Sequence, residues 1–236
     1  MKSWFQQLRH VLGVPPHSPS FREQAAAVAT SILGLALVAS GSALLAPTSS
    51  PWLLTSMGAT AVLVFALPHG PLSQPWAVLA GHLLSAAVAL AILQFAGSGI
   101  VQSAVAVGLS IAAMHLTRCI HPPGGATALY IVQSASAGTM PQWSWLLWPV
   151  LGNVAVILLA AVALNYPFPW RRYPAALAFH LATQEPTPAQ HVPFSAQELA
   201  QAMDDLDLLI DISDEQLQLL YEAILDKQRR LPHADT

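Results

Sequence analysis

The densest polar motif in this chain is His121-Pro122-Pro123-Gly124-Gly125-Ala126-Thr127, with Arg118 three residues ahead of it. Arg118 is a permanently charged guanidinium with several donors, the residue type that supplies positive potential to an anion. Between Glu23 and Arg171 it is the single Asp, Glu, Lys or Arg, so no acidic side chain of that stretch can pair with it. Two readings follow: it serves an anion pathway, or it snorkels to an interface from the end of its helix. Pro122 and Pro123 end one helix and open the next without wasting backbone donors. Gly124 and Gly125 let the chain turn sharply and would leave the following amides uncovered, so that a small anion could approach a helix N-terminus. His121 can donate a hydrogen bond or change charge with pH. A purely structural hinge would use the same prolines and glycines.

A second stretch, Thr55-Ser56-Met57-Gly58-Ala59-Thr60, resembles the first, and Met57 to Val62 aligns with Gly124 to Leu129. Two such helix N-termini, brought together near the bilayer midplane with an arginine and no carboxylate, would make an anion site. The candidate binding residues are therefore Arg118, His121, Gly124, Gly125, Thr127, Thr55, Ser56, Gly58 and Thr60, with His82 and Asn153 as candidates to line the path. Either of the last two could instead simply hold helices together. Pro122, Pro123, Pro68 and Pro71 are the candidate hinge positions. His69, His82, His115 and His121 lack the clustered spacing of a metal centre. No nucleophile elbow, phosphate-cradling loop or dinucleotide fingerprint is present, so no catalytic residue, metal or cofactor is expected, and no nucleic-acid partner.

The elements that must position these residues are membrane helices. Hydrophobic residues make up 54% of the 236 and charged residues 9%, against the roughly 25% charged of a soluble domain, and the mean hydropathy is +0.52. Six apolar stretches run over 22–46, 53–67, 75–96, 100–118, 124–137 and 143–165. The first, third and sixth are long enough to cross a core of about 30 Å outright, whereas the second and fifth are short, as broken or re-entrant helices are. Leu79-Ala80-Gly81-His82 also aligns with Val150-Leu151-Gly152-Asn153. The expected fold is thus an all-α membrane protein of two three-segment pseudo-inverted repeats with short second and fifth helices. If the short pair dips in and returns, four crossings remain and the halves become parallel.

Lys2, Arg9 and Arg22 precede the first helix and Arg171 and Arg172 follow the last, which places both termini in the cytoplasm by the positive-inside rule. Residues 1–20 read as a cytoplasmic or interfacial segment, not a cleaved signal, because Pro15, Pro16 and Pro19 interrupt any apolar run. The membrane domain is expected over 21–170 and a linker over 171–193. A small acidic helical module follows over 194–232, with capping boxes at Ser195/Glu198 and Ser213/Gln216. Cys119 is the single cysteine, which excludes an intrachain disulfide. Gly34, Gly41, Gly81 and Gly108 permit close helix packing, and a homo-oligomer is expected.

From Phe65 to Leu164 the chain resembles the HPP family of integral membrane proteins. The resemblance is carried by Ala66-Leu67-Pro68, Pro71-Leu72-Ser73-Gln74-Pro75, Gly81-His82-Leu83-Leu84-Ser85, Leu116-Thr117-Arg118 and His121-Pro122-Pro123-Gly124-Gly125-Ala126-Thr127-Ala128-Leu129. It implies a transporter or channel for a small monovalent anion, with nitrite the leading substrate, in a bacterial inner membrane. The rival reading is a membrane scaffold or sensor acting through the cytoplasmic tail.

Overall fold

The structure, a computed structural model, describes residues 19–45 and 53–180 together with Trp4, Leu8, Val11 and Leu12. The segment read as an acidic helical module and most of residues 1–20 lie outside the described residues. Every regular element among the described residues is helical. We number the helices α1 (Phe21–Leu45), α2 (Ser56–Ala66), α3 (Pro75–Ala96), α4 (Ile100–Leu116), α5 (Pro122–Ser136), α6 (Gly152–Asn165) and α7 (Ala175–His180). Phe21–Leu44, Pro75–Ala96 and Trp143–Asn165 are long and apolar enough to cross a bilayer.

Each of the six apolar stretches contains a helix, and the two expected to be short are short. At about 1.5 Å per residue, the 11 residues of α2 rise about 16 Å and the 15 of α5 about 22 Å. The sixth stretch departs from expectation. Its first part is a tight turn, Trp143–Leu146, and a wide one, Leu147–Leu151, before α6 begins. Trp148 has φ −144° and ψ 128°, because the ring of Pro149 drives the residue before it out of the helical region. The long helix read over 143–165 is therefore divided.

Glycines set how closely the helices approach. A Cβ on Gly124 would stand 2.7 Å from the carbonyl oxygen of Gly81, and one on Gly81 would stand 2.7 Å from the Cβ of His121. The backbones of α3 and the start of α5 approach closely there. Gly34 of α1 receives the ring of Phe65 from α2, and Gly152 receives the indole of Trp148. Val64, Phe65, Val78, Ala86, Ile131 and Ile157 lie in one buried apolar cluster.

The membrane unit does not end at residue 170. Arg171 and Tyr173, read from sequence as the start of a linker, are both buried. The Arg171 guanidinium donates to the carbonyl of Phe65 at the end of α2 and, at 3.2 and 3.3 Å, to Asn165 Oδ1. Asn165 Nδ2 donates to the Val64 carbonyl, Tyr173 Oη to the Ser73 carbonyl at 2.8 Å, and His69 Nε2 to the Arg172 carbonyl. These contacts latch the segment after α6 onto the Pro68–Gln74 turn. Burial pushes the Tyr173 phenol up from its ordinary value.

Candidate functional site: a buried imidazole and hydroxyl layer

Five of the sequence-predicted residues come together. Ser56 and Thr60 stand one turn apart on α2, His82 on α3, His121 immediately before α5, and Thr127 in its second turn. All five are buried. Thr60 Oγ1 lies 2.9 Å from His82 Nε2 and 3.2 Å from His121 Nε2. Thr127 Oγ1 lies 2.7 Å from His82 Nδ1 and 2.8 Å from Ser56 Oγ. The two imidazoles meet edge to face with centroids 4.9 Å apart.

The direction of each hydrogen bond follows from one end of this chain. His121 Nδ1 lies 2.8 Å from the carbonyl oxygen of Leu72, and a carbonyl only accepts, so Nδ1 carries the proton. His121 Nε2 is then an acceptor, filled by the Thr60 hydroxyl. Thr60 has a single proton, so His82 Nε2 must donate to it. His82 Nδ1 therefore accepts from Thr127, whose oxygen accepts from Ser56. One arrangement with two neutral imidazoles thus satisfies every member, running head to tail from Ser56 to Leu72. In that arrangement the two rings hold opposite tautomers.

Burying such groups without partners costs several kcal/mol, and this layer spends its polar capacity almost completely. The exception is beside it. Ser85, one turn beyond His82 on α3, is buried, and its Oγ has no hydrogen-bond partner. That oxygen lies 2.9 Å from where a Gly124 Cβ would be, so it faces the first turn of α5. Sequence reading named Ser85 only within the family motif and did not take it as a site residue, although its spacing from His82 on one helix face was available.

The remaining predicted residues are elsewhere or serve differently. Asn153 is buried and its Oδ1 accepts from the backbone N–H of Leu54, at 3.1 Å, just before α2. Thr55 and Gly58 are exposed and Gly125 half-buried. Three amides at these helix starts are engaged: Gly124 N–H donates to the His121 carbonyl, Met57 N–H to Leu54 and Gly58 N–H to Thr55. Two of the first α5 positions are prolines and have no N–H. Gly124 thus serves the close approach of α3 and α5, not an open amide cradle. Pro122 and Pro123 open α5, Pro71 opens the short turn Pro71–Ser73, and the Pro68 carbonyl accepts from Gln74 Nε2.

Arg118 also stands apart from the layer. It is exposed, with φ 55°. It terminates α4 in a left-handed cap, in which Cys119 N–H donates to the Met114 carbonyl and Arg118 N–H to that of His115. His115 is exposed too. No group of three or more His, Cys, Asp or Glu is placed to hold a metal among the described residues.

The profile of the HPP transmembrane region matches residues 16–174, which takes in all of α1 to α6, the imidazole layer and the Arg171 latch. The chain belongs to the HPP transmembrane family. Two curated relatives of this HPP protein, both transmembrane proteins of Dictyostelium discoideum, are 39% and 38% identical over 130 and 129 residues. Each alignment covers 52% of this chain and 40% or 44% of the relative, so the HPP chain spans less than half the length of the relatives it matches. No solved structure matches it.

Proposed function

We propose that this HPP protein carries a small monovalent anion, with nitrite the leading substrate, through the layer formed by Ser56, Thr60, His82, His121 and Thr127. One observation carries the reading: imidazoles and hydroxyls are concentrated inside an apolar bundle, an unpartnered Ser85 Oγ lies at their edge, and no carboxylate is among them. Such a layer is costly to bury and offers donors without competing negative charge. An arriving anion would take the free Ser85 donor first. Arg118, exposed three residues before His121, acts in this reading at the mouth of the path, raising local anion concentration by its field.

The pairing across the two halves supports the inverted repeat. In the alignment Leu54 corresponds to His121 and Asn153 to His82. Leu54 meets Asn153 and His121 meets His82, the reciprocal pattern that two related halves facing each other produce. We propose that both termini are cytoplasmic, on the charge distribution, that the protein is a homo-oligomer, on its small-residue content, and that it sits in a bacterial inner membrane, as the family resemblance implies.

Nitrite flux into liposomes holding the purified protein tests the proposal, with chloride, nitrate and formate as competitors and empty vesicles as baseline. Saturable flux, reduced in Ser85→Ala and in Arg118→Ala, is expected. Flux no greater than in empty vesicles, for protein shown to be folded, removes the transport reading.

A further inference from the structure

Each threonine of the layer has a second acceptor within reach. Thr60 Oγ1 lies 3.2 Å from the carbonyl oxygen of Ser56, and Thr127 Oγ1 lies 3.3 Å from that of Pro123. Both carbonyls belong to the residue four positions earlier on the same helix. In the neutral arrangement neither bond is used, because the two hydroxyl protons go to His121 Nε2 and His82 Nδ1.

We propose that the His82–His121 pair is a binding site for one proton, taken up together with the anion. This rests on the transport reading for its purpose, while its chemistry stands on the hydrogen-bond geometry. When hydronium delivers a proton to His121, its O–H bond breaks to leave water and the Nε2 lone pair forms an N–H bond, with no bond broken in the protein. The Thr60 hydroxyl swings from His121 to the Ser56 carbonyl, and its oxygen accepts from both rings. When the proton instead sits on His82 Nδ1, the Thr127 hydroxyl swings to the Pro123 carbonyl and its oxygen accepts from His82 and Ser56. Either state leaves every donor and acceptor of the layer engaged. The change needs only rotation of a hydroxyl.

The site holds one proton, not two. With ring centroids 4.9 Å apart, two imidazolium charges in an apolar layer would repel strongly. Few other groups face the pair. α2 presents Ser56 and Thr60, α5 presents Thr127, and the turn before α3 presents the Leu72 carbonyl. Beyond α4 the chain presents the Cys119 carbonyl against Gly81, with the Cys119 thiol 3.0 Å from Thr117 Oγ1. The nearest charged residue along the chain, Arg118, is exposed. A proton on the pair therefore supplies the positive charge that the layer otherwise lacks, which makes anion and proton a neutral couple.

Solid-state NMR of the full-length protein in lipid vesicles, with ¹⁵N-labelled imidazoles and the two rings assigned by His82→Gln and His121→Gln, tests this directly. At about pH 8 we expect His82 as the Nε2–H tautomer and His121 as the Nδ1–H tautomer; on lowering the pH below the range where imidazoles ordinarily titrate, since an apolar layer disfavours a charged ring, the pair should gain one proton in total. Thr60→Val should remove uptake at His121, with Thr60→Ser restoring it, in samples whose helicity and oligomer size match wild type. Identical tautomers at neutral pH, no uptake by folded protein, or full protonation of both rings overturns the proposal. Nitrite flux on the same samples separates it from the transport reading: one-proton uptake without flux leaves the proton site and removes the anion, whereas flux with unchanging rings removes the proton site alone.

Discussion

Two buried polar regions lie in the membrane unit, and they are built on opposite plans. The Arg171 latch uses a fixed charge: its guanidinium is held by the Phe65 carbonyl and Asn165 Oδ1, and neighbouring bonds from Asn165, Tyr173 and His69 end on backbone carbonyls. A carbonyl cannot donate and arginine cannot lose its proton, so the donors there run one way. The His82–His121 layer has no fixed charge, and its links are hydroxyls and imidazoles, each able to donate or accept. The difference separates two roles that a buried polar network can have. A network of one-way donors ties segments together, while a network of two-way groups can change its protonation without moving its heavy atoms.

The largest effect expected from breaking the comparison is on the latch side. Arg171→Ala leaves the Phe65 carbonyl and the Asn165 oxygen buried with fewer donors, at about 1–3 kcal/mol for each orphaned group. A loss of about 3 kcal/mol in thermal or denaturant unfolding of the purified protein would bear this out. On the layer side Gly124→Ala comes next, since its Cβ would press the Gly81 carbonyl; overpacking of this kind costs about 1–3 kcal/mol. Gly58→Ala is the matched control. Nothing lies within 4 Å of that Cβ, and in a helix the change should be neutral or stabilising by up to about 1 kcal/mol.

Tyr173→Phe should cost about 1 kcal/mol, the net worth of one hydrogen bond. Its pH dependence sharpens the point. Burial raises the folded phenol above its unfolded value of about 10, so the folded state holds the proton more tightly. The stabilisation is fully present below about pH 10 and declines as pH rises beyond that value, and Tyr173→Phe should flatten that alkaline limb in a series of unfolding curves. The smallest effect is expected at Arg118. Its left-handed backbone suits glycine better, so Arg118→Gly should hold or slightly raise stability, by under about 1 kcal/mol, while lowering anion flux if its charge serves the mouth.

Much of this layout could be read from the sequence, because composition and motif types act locally. Apolar runs located all six helical stretches, three of them long enough to cross a bilayer, and the paired Gly-Ala-Thr-Ala and Gly-Gly-Ala-Thr-Ala stretches brought forward Thr60 and Thr127 before any contact was known. What escaped depends on distance in sequence. Arg171 reads as an ordinary positive residue after a last helix, and nothing nearby shows that it will cap α2 from 106 positions away. Arg118 reads as a charge within the membrane domain, yet the left-handed turn that aims it outward follows from where α4 stops. Gly124 has two uses open to any glycine, anion approach or helix contact, and only the position of Gly81 decides between them. The break at Trp148 was legible in principle, since Pro149 follows it.

The contrast between the layer and the latch is tested most directly by nitrite flux in liposomes holding equal amounts of folded wild type, Thr60→Val, Thr127→Val and Tyr173→Phe. The account predicts that each threonine variant loses flux by about tenfold or more, equivalent to about 1.4 kcal/mol, and that Tyr173→Phe transports as wild type despite its lower stability. Undiminished flux in both threonine variants, or a loss confined to Tyr173→Phe, would contradict it.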